Sequence, residues 1–184
     1  TRGGFTGVIA TMHCGEGPTI ALRFDIDALG VLEADDEMHL PAREGFRSVT
    51  PGIMHACGHD GHAAIGIGTA MLLRELRDQL HGTVRLIFQP AEEGVRGASS
   101  IVAAGHLDDA DYALAAHVFP AGKAAGLVDV GVLAENGTGG LATSKLDVTF
   151  HGRSAHAGIA PQEGRNALLA AATAVLNLHA IPRY

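Results

Sequence analysis

Two periods alternate along the first two thirds of the chain. Over residues 19–27, Ile20, Leu22, Phe24 and Ile26 alternate with Ala21, Arg23, Asp25 and Asp27, the period-two pattern of a strand. The alternation places both aspartates on one face at the strand's C-terminal end. Residues 6–12 predict a shorter strand before it. Residues 83–89 predict another, with Val84, Leu86 and Phe88 on one face and Pro90 ending it. Residues 112–117 predict an apolar strand followed by Pro120. Between these runs the period changes. Over 62–80, Ile65, Leu72, Leu76 and Leu80 fall on one helical stripe, with Met71 and Leu73 beside it, and His81-Gly82 supplies a stop. A short helix is expected over 97–104, closed by Gly105. Residues 30–53 are polar and punctuated by Pro and Gly, which predicts a long loop. Strands alternating with helices predict an α/β sandwich.

The pattern shifts near residue 135. The run ENGTGG at 135–140 is a hinge candidate. Residues 141–151 predict a strand with Leu146, Val148 and Phe150 alternating with polar positions. Residues 166–179 predict an alanine-rich helix with Leu168, Ala172, Val175 and Leu176 inward. The expected division is 1–136 for one domain and 137–184 for the first β-α unit of a second, cut short. Neither internal repeats nor low-complexity segments are evident. A chain that starts at Thr1 and stops at Tyr184 after a helical run reads as a piece of a longer protein.

Composition narrows the function. The 184 residues, 47% of them hydrophobic, are enough for one core and part of another. The 25 glycines and 4% aromatics predict tight turns rather than a bulky aromatic interior. A formal net charge of −7 argues against a nucleic-acid footprint, which needs a basic face. Lys123 and Lys145 are the only lysines; the remaining positive charge is arginine, suited to bidentate carboxylate contacts. Two cysteines, Cys14 and Cys57, make no disulfide framework in a chain of this size, and Cys14 reads as a small half-buried apolar residue. With neither a signal peptide nor an apolar run near the ~20 residues that span a bilayer, a soluble, cytoplasmic protein is expected.

Four segments carry chemistry: Asp25/Asp27, Cys57/His59, Glu92/Glu93 and His117. Each lies just past an expected strand end or in the loop feeding a helix, and in open α/β sheets sites form at the carboxyl ends of strands. Thiolate, imidazole and carboxylate together suit zinc, manganese or cobalt. Cys57 and His59, one residue apart in a loop with Gly58 and Gly61, can face one ion. In the doublet after strand 83–89, one glutamate can ligate while the other moves a proton of activated water. Taken singly, each element has a plain structural explanation: a hydrogen-bonded His117, a solvated Glu-Glu loop, Asp25 and Asp27 capping a turn. Their conjunction favours the metal. His55 and His62 flank the loop as outer supports. His13, His39, His81, His106 and His179 are expected at the surface or in packing.

At these residues the chain resembles a known family. RFDIDAL (23–29), MHACGHDGH (54–62), FQPAEEG (88–94) and GRSAHAG (152–158) are similar to the metallo-aminoacylase and carboxypeptidase G family. Within it they resemble the branch of hippurate, auxin-conjugate and p-aminobenzoyl-glutamate hydrolases. The last of these is favoured by the charged stretch 33–48, by LIFQPAEEGVRGA (86–98) with VAAG (102–105), and by EGRNALLAAA (163–172) with LHAIP (178–182). The resemblance implies a mixed-sheet αβα sandwich catalytic domain, interrupted by an inserted α+β ferredoxin-like lid that makes dimers. It implies two divalent ions, Mn or Zn, held by Cys57, His59, Glu93 and His117. Glu92 would be the general base and then the acid toward the leaving amine, and Asp27 would orient the ligands. His156 would steady the oxyanion, reaching a neighbouring active site in dimers. Arg165 and Asn166 would shape the lid or bind a substrate carboxylate. The family's last ligand, a histidine near the C-terminus of the full protein, has no counterpart in 1–184. The expected partners are an N-acyl amino acid substrate and a homodimer or a heterodimer with a homologous subunit, with neither nucleic acid nor membrane. Two rivals follow from the same residues: an amidase with Cys57 as nucleophile and His59 or His62 as base, and a metal-binding module without catalysis.

Overall fold

The computed structural model describes residues 6–94, 96–118 and 146–179. The hinge candidate at 135–140, the expected boundary at 136/137 and the first part of the strand expected over 141–151 lie outside the described residues. The chain divides into two compact units, Thr1–Thr138 and Gly139–Tyr184.

In the first unit four strands form one mixed sheet: β1 (Val8–His13), β2 (Thr19–Asp25), β3 (Thr83–Gln89) and β4 (Tyr112–Ala115). Their order is β1-β3-β2-β4. β1 runs antiparallel to β3, while β2 is parallel to both β3 and β4. The three parallel strands therefore end on one rim. The long connection after β2 contains a one-turn helix, α1 (Leu40–Arg43), and then α2 (His59–Glu75) before the chain returns in β3. From β3 it passes through α3 (Gly97–Ala103) and crosses back over β2 to β4. These two crossovers run in opposite directions. Because such connections are right-handed, they put α2 and α3 on opposite faces of the sheet. Packing agrees. Gly66 of α2 lies against the Phe24 and Phe88 rings, which pair across the β2–β3 register with centroids 5.6 Å apart. Ile101 of α3 is buried with Ala21 and Ile87 on the other face, and Leu107 and Ala110 pack against that cluster.

Helix α2 differs from its expectation in two ways. It starts at His59 rather than His62. Its first turn shows no apolar period because the inward residues there are histidines. The buried positions are His59, His62 and Gly66, on one helical face. The predicted stripe turns outward instead: Ile65, Leu72 and Leu76 are 52%, 61% and 44% exposed. The aromatic rings of the sheet already fill the space, so the helix approaches with its smallest residue. A Cβ on Gly66 would lie 2.6 Å from Phe88 Cε1.

In the second unit, residues 146–152 carry no strand assignment, although Leu146, Val148 and Phe150 keep their alternation. A strand needs a hydrogen-bonded neighbour, and the described residues of this unit supply only an isolated antiparallel bridge between Arg153 and Arg165. After it, α4 (Ala167–His179) begins, with Asn166 Oδ1 accepting the Leu169 N–H at 3.0 Å as a side-chain cap. Leu168, Val175 and Leu176, expected inward, are exposed among the described residues.

Candidate metal centre

Each strand of the parallel set delivers its chemistry to the shared rim. Asp25 closes β2 and Asp27 follows two residues later. Glu92 and Glu93 follow β3, His117 follows β4, and Cys57 and His59 stand at the start of α2.

His59 is buried, at 1% exposed. Its Nδ1 lies 3.0 Å from the Asp27 carbonyl oxygen and 3.2 Å from Asp27 Oδ1. Both are acceptors, so Nδ1 carries the proton and Nε2 is left with its lone pair. Among the described residues, that Nε2 has no hydrogen-bond partner. It faces Asp25 Oδ2 at 3.7 Å and Glu92 Oε2 at 4.0 Å. The other Asp27 oxygen, Oδ2, accepts the Glu93 backbone N–H at 3.0 Å. One carboxylate thus fixes both the ring of His59 and the main chain at Glu93.

The glutamate doublet is presented by a strained turn. Ala91 sits at φ +53°, in the left-handed region, which costs a non-glycine residue of order 1 kcal/mol or more. The turn is held from behind, where the Ala91 carbonyl accepts the N–H groups of Arg96 and Gly97 at 3.3 and 3.1 Å. Gly97 also packs so closely that a Cβ there would lie 1.7 Å from the Pro90 carbonyl oxygen. Gly97→Ala is expected to destabilise the protein by about 1–3 kcal/mol through overpacking. Thermal melts of the full-length protein check this; an unchanged midpoint would show that the turn relaxes freely.

Cys57, His59 and Glu93 bring one ligand atom each within 4.8 Å of one another, and Cys57 Sγ is 3.5 Å from His117 Nε2. His117 Nδ1 donates to the Val118 carbonyl at 2.6 Å, which leaves Nε2 as the ring's lone-pair nitrogen. Burial pushes the Cys57 thiol up, and the Glu93 hydrogen bond and the charges of Glu93, Glu92 and Asp25 push the same way. This environment opposes a free thiolate, whereas a cysteine nucleophile needs a lowered pKa.

Asp25 is fully buried. Its Oδ1 hydrogen-bonds His62 Nδ1, and Oδ2 is in ionic contact with Arg23 Nη1 at 2.7 Å. Burial pushes this carboxyl up, but the His62 hydrogen bond, then Arg23 and the nearby imidazoles, outweigh it and hold it below the ordinary carboxylate value. Arg23 is steadied in turn by Gln89 Oε1 at 2.9 Å. Asp25 and His62 thus enter the cluster; the sequence places Asp25 among the chemistry-bearing segments without a role separate from Asp27, and His62 beside the metal loop as an outer support or a rival base. The signals were present: Asp25 shares the face of Asp27, and His62 stands one helical turn after His59.

The donor set fits a divalent cation. A buried imidazole nitrogen with no partner is costly in a folded chain, and here it faces carboxylates with a thiol and a second imidazole close by. Thiol, imidazole and carboxylate oxygen match zinc-type coordination. His59, Cys57, Glu93 and His117 are the residues that would hold it, with Asp27 orienting His59 from behind.

The remaining candidates lie in the second unit. His156 Nδ1 accepts the N–H groups of Gly158 and Ile159 at 3.1 and 3.2 Å. Its proton therefore resides on Nε2, leaving that atom a hydrogen-bond donor. Arg165 and Asn166 line a cavity of about 270 Å³ with Arg153, Ala155, Ala157, Pro161 and Gly164.

Comparison with known proteins extends these observations. The chain is 55% identical over 181 residues to indole-3-acetyl-aspartic acid hydrolase of Enterobacter agglomerans, covering 98% of this chain and 40% of that protein. It is 52% identical over 181 residues to one subunit of the p-aminobenzoyl-glutamate hydrolase of Escherichia coli strain K12, with the same coverage of 98% and 40%. The chain thus spans about two fifths of the length of these relatives. Among solved structures, the YXEP protein of Bacillus subtilis, described as a dinuclear metal binding peptidase from the M20 family, superposes with a TM-score of 0.57 at 49% identity. The match covers 62% of this chain and 30% of that one. The model of peptidase family M20/M25/M40 matches residues 21–183, and with the mixed α/β sheet and the ligand-bearing rim described above, the chain belongs to that family.

Proposed function

We propose that the full-length protein hydrolyses the amide bond between an acyl group and an amino acid, with p-aminobenzoyl-glutamate or a related N-acyl amino acid as substrate. The observation that carries this reading is the buried His59 Nε2, without a hydrogen-bond partner among the described residues, beside Cys57 and Glu93. The hydrolase names of the relatives at 55% and 52% identity support it.

Cys57, His59, Glu93 and His117 would hold two divalent ions, Mn or Zn, with a further ligand from elsewhere in the full protein. Bound there, the ions supply Lewis acidity toward the scissile carbonyl and toward water. Glu92 takes the proton of the attacking water and delivers it to the departing amine nitrogen. It suits this because its carboxylate borders the ligand cluster, 4.0 Å from His59 Nε2, yet remains partly open to solvent. In a dimer, His156 of a neighbouring chain would donate its Nε2–H to the oxyanion, and Arg165 with Asn166 would take the substrate carboxylate. The domain division at 136/137, with a ferredoxin-like lid and an αβα catalytic sandwich, belongs to the same reading. So do a cytoplasmic setting and a dimer, formed by identical chains or with a homologous partner. The E. coli relative carries the name of one subunit within a larger hydrolase, which supports the second arrangement. Among the described residues, no helix is long and apolar enough to cross a membrane.

A panel of N-acyl amino acids, including p-aminobenzoyl-glutamate and N-acetyl and N-benzoyl amino acids, tests the proposal. Assayed on the full-length protein with Mn or Zn, at least one is expected to turn over, and chelation should abolish the activity. Turnover that survives complete metal removal would instead favour the cysteine nucleophile. Bound metal with no turnover of any substrate would favour a non-catalytic module.

A further inference from the structure

Asp25 and His62 are buried at the centre of the site, and the mechanism above does not use them. Both ring nitrogens of His62 are engaged. The Val118 backbone N–H donates to Nε2 at 2.8 Å, so Nε2 is an acceptor and the proton resides on Nδ1, where it is donated to Asp25. His62 thus has no lone pair to offer an ion, although it stands in a group of potential ligands with Asp25, His59 and His117. Val118 is fastened a second time. Gly58, at φ +80° just before α2, meets it so closely that a Cβ would lie 2.6 Å from Val118 Cγ2. The neighbouring residue is His117, which donates to the Val118 carbonyl and stands edge-on to the His62 ring, centroids 4.6 Å apart. β4 has already ended at Ala115, so the sheet ladder no longer holds the chain there.

We propose that Asp25 and His62 form a positioning pair which tethers Val118 to the start of α2 and thereby sets His117 against Cys57 as a ligand. The inference rests on the metal reading of the site. Asp25 fixes the tautomer of His62, and the tautomer makes Nε2 the acceptor that the Val118 N–H requires. His62 also stacks on His59, centroids 5.4 Å apart, so one residue of α2 touches two ligand imidazoles that arrive from separate segments.

The test compares two variants of the apo full-length protein titrated with cobalt(II), followed by metal affinity and by the near-ultraviolet cobalt–thiolate band of Cys57. His62→Gln can place an acceptor near Nε2 and keep the tether. His62→Asn retains a donor near Nδ1 and loses it. His62→Asn is expected to weaken cobalt binding about 10- to 100-fold, as loss of an outer support does, while His62→Gln stays below that range. Amide exchange supplies a readout free of substitution and metal. The Val118 N–H, on a residue 40% exposed, should be protected in the wild-type protein. Equal cobalt affinity in His62→Asn and wild type, equal losses in both variants, or free exchange at Val118 would each overturn the tether. A wild-type protein that binds no cobalt would overturn the metal reading itself, and the inference with it.

Discussion

Glu92→Gln in the full-length protein will keep its metal complement and lower kcat by about 10²- to 10⁴-fold, the range that a positioned acid–base group contributes. The substitution preserves shape and removes the ability to take a proton. Glu92 stands outside the group formed by Cys57, His59 and Glu93, yet its Oε2 comes within 4.0 Å of His59 Nε2. A group at that distance can reach water beside the ligands without being one of them. KM should change far less than kcat, because the lost interaction belongs to the transition state. Steady-state kinetics with elemental analysis of the same preparation decides the matter. Wild-type turnover would remove Glu92 from the mechanism, and loss of metal would make it a ligand.

The second large effect is expected at His59. His59→Ala deletes the one buried nitrogen that the fold leaves without a partner among the described residues, and the protein should lose at least one ion per chain and essentially all turnover with it. Because Asp27 engages both His59 Nδ1 and the Glu93 backbone N–H, the deletion also removes one restraint on the carboxylate that holds the main chain at Glu93. Removing a structural metal site couples to folding, so the variant should melt closer to the metal-free wild type than to the loaded protein. Elemental analysis and melts with and without chelator measure both. A full metal complement in His59→Ala would show that the ions are held elsewhere.

Much of this arrangement is legible in the sequence. β3 has the bounds that its alternation predicts, Thr83–Gln89, and α3 and α4 fall within a residue of expectation. Three of the four chemical segments lie on one rim because the strands that deliver them are parallel, the fourth arrives at the start of α2, and strand-end placement is readable from where apolar alternation stops. Helix α2 was harder. Periodicity reports which residues are apolar, not which neighbour they meet, and the stripe of Ile65, Leu72 and Leu76 faces away from the sheet.

The sequence by itself determined the order of the four sheet strands and of α2, α3 and α4, though not the one-turn α1 inside the expected loop, and with it the residue types able to bind a divalent ion and the family to which the motifs point. Only the tertiary structure decided which face of α2 meets the sheet, which nitrogen of His59 is left for a ligand and why His62 is not one. The physical reason is common to all three. A tautomer or a helix orientation is fixed by partners from distant segments: Asp27 thirty-two residues before His59, Val118 fifty-six after His62, and Phe24 and Phe88 on either side of Gly66. Such partners leave no local pattern, because the contact exists only once the chain has closed on itself.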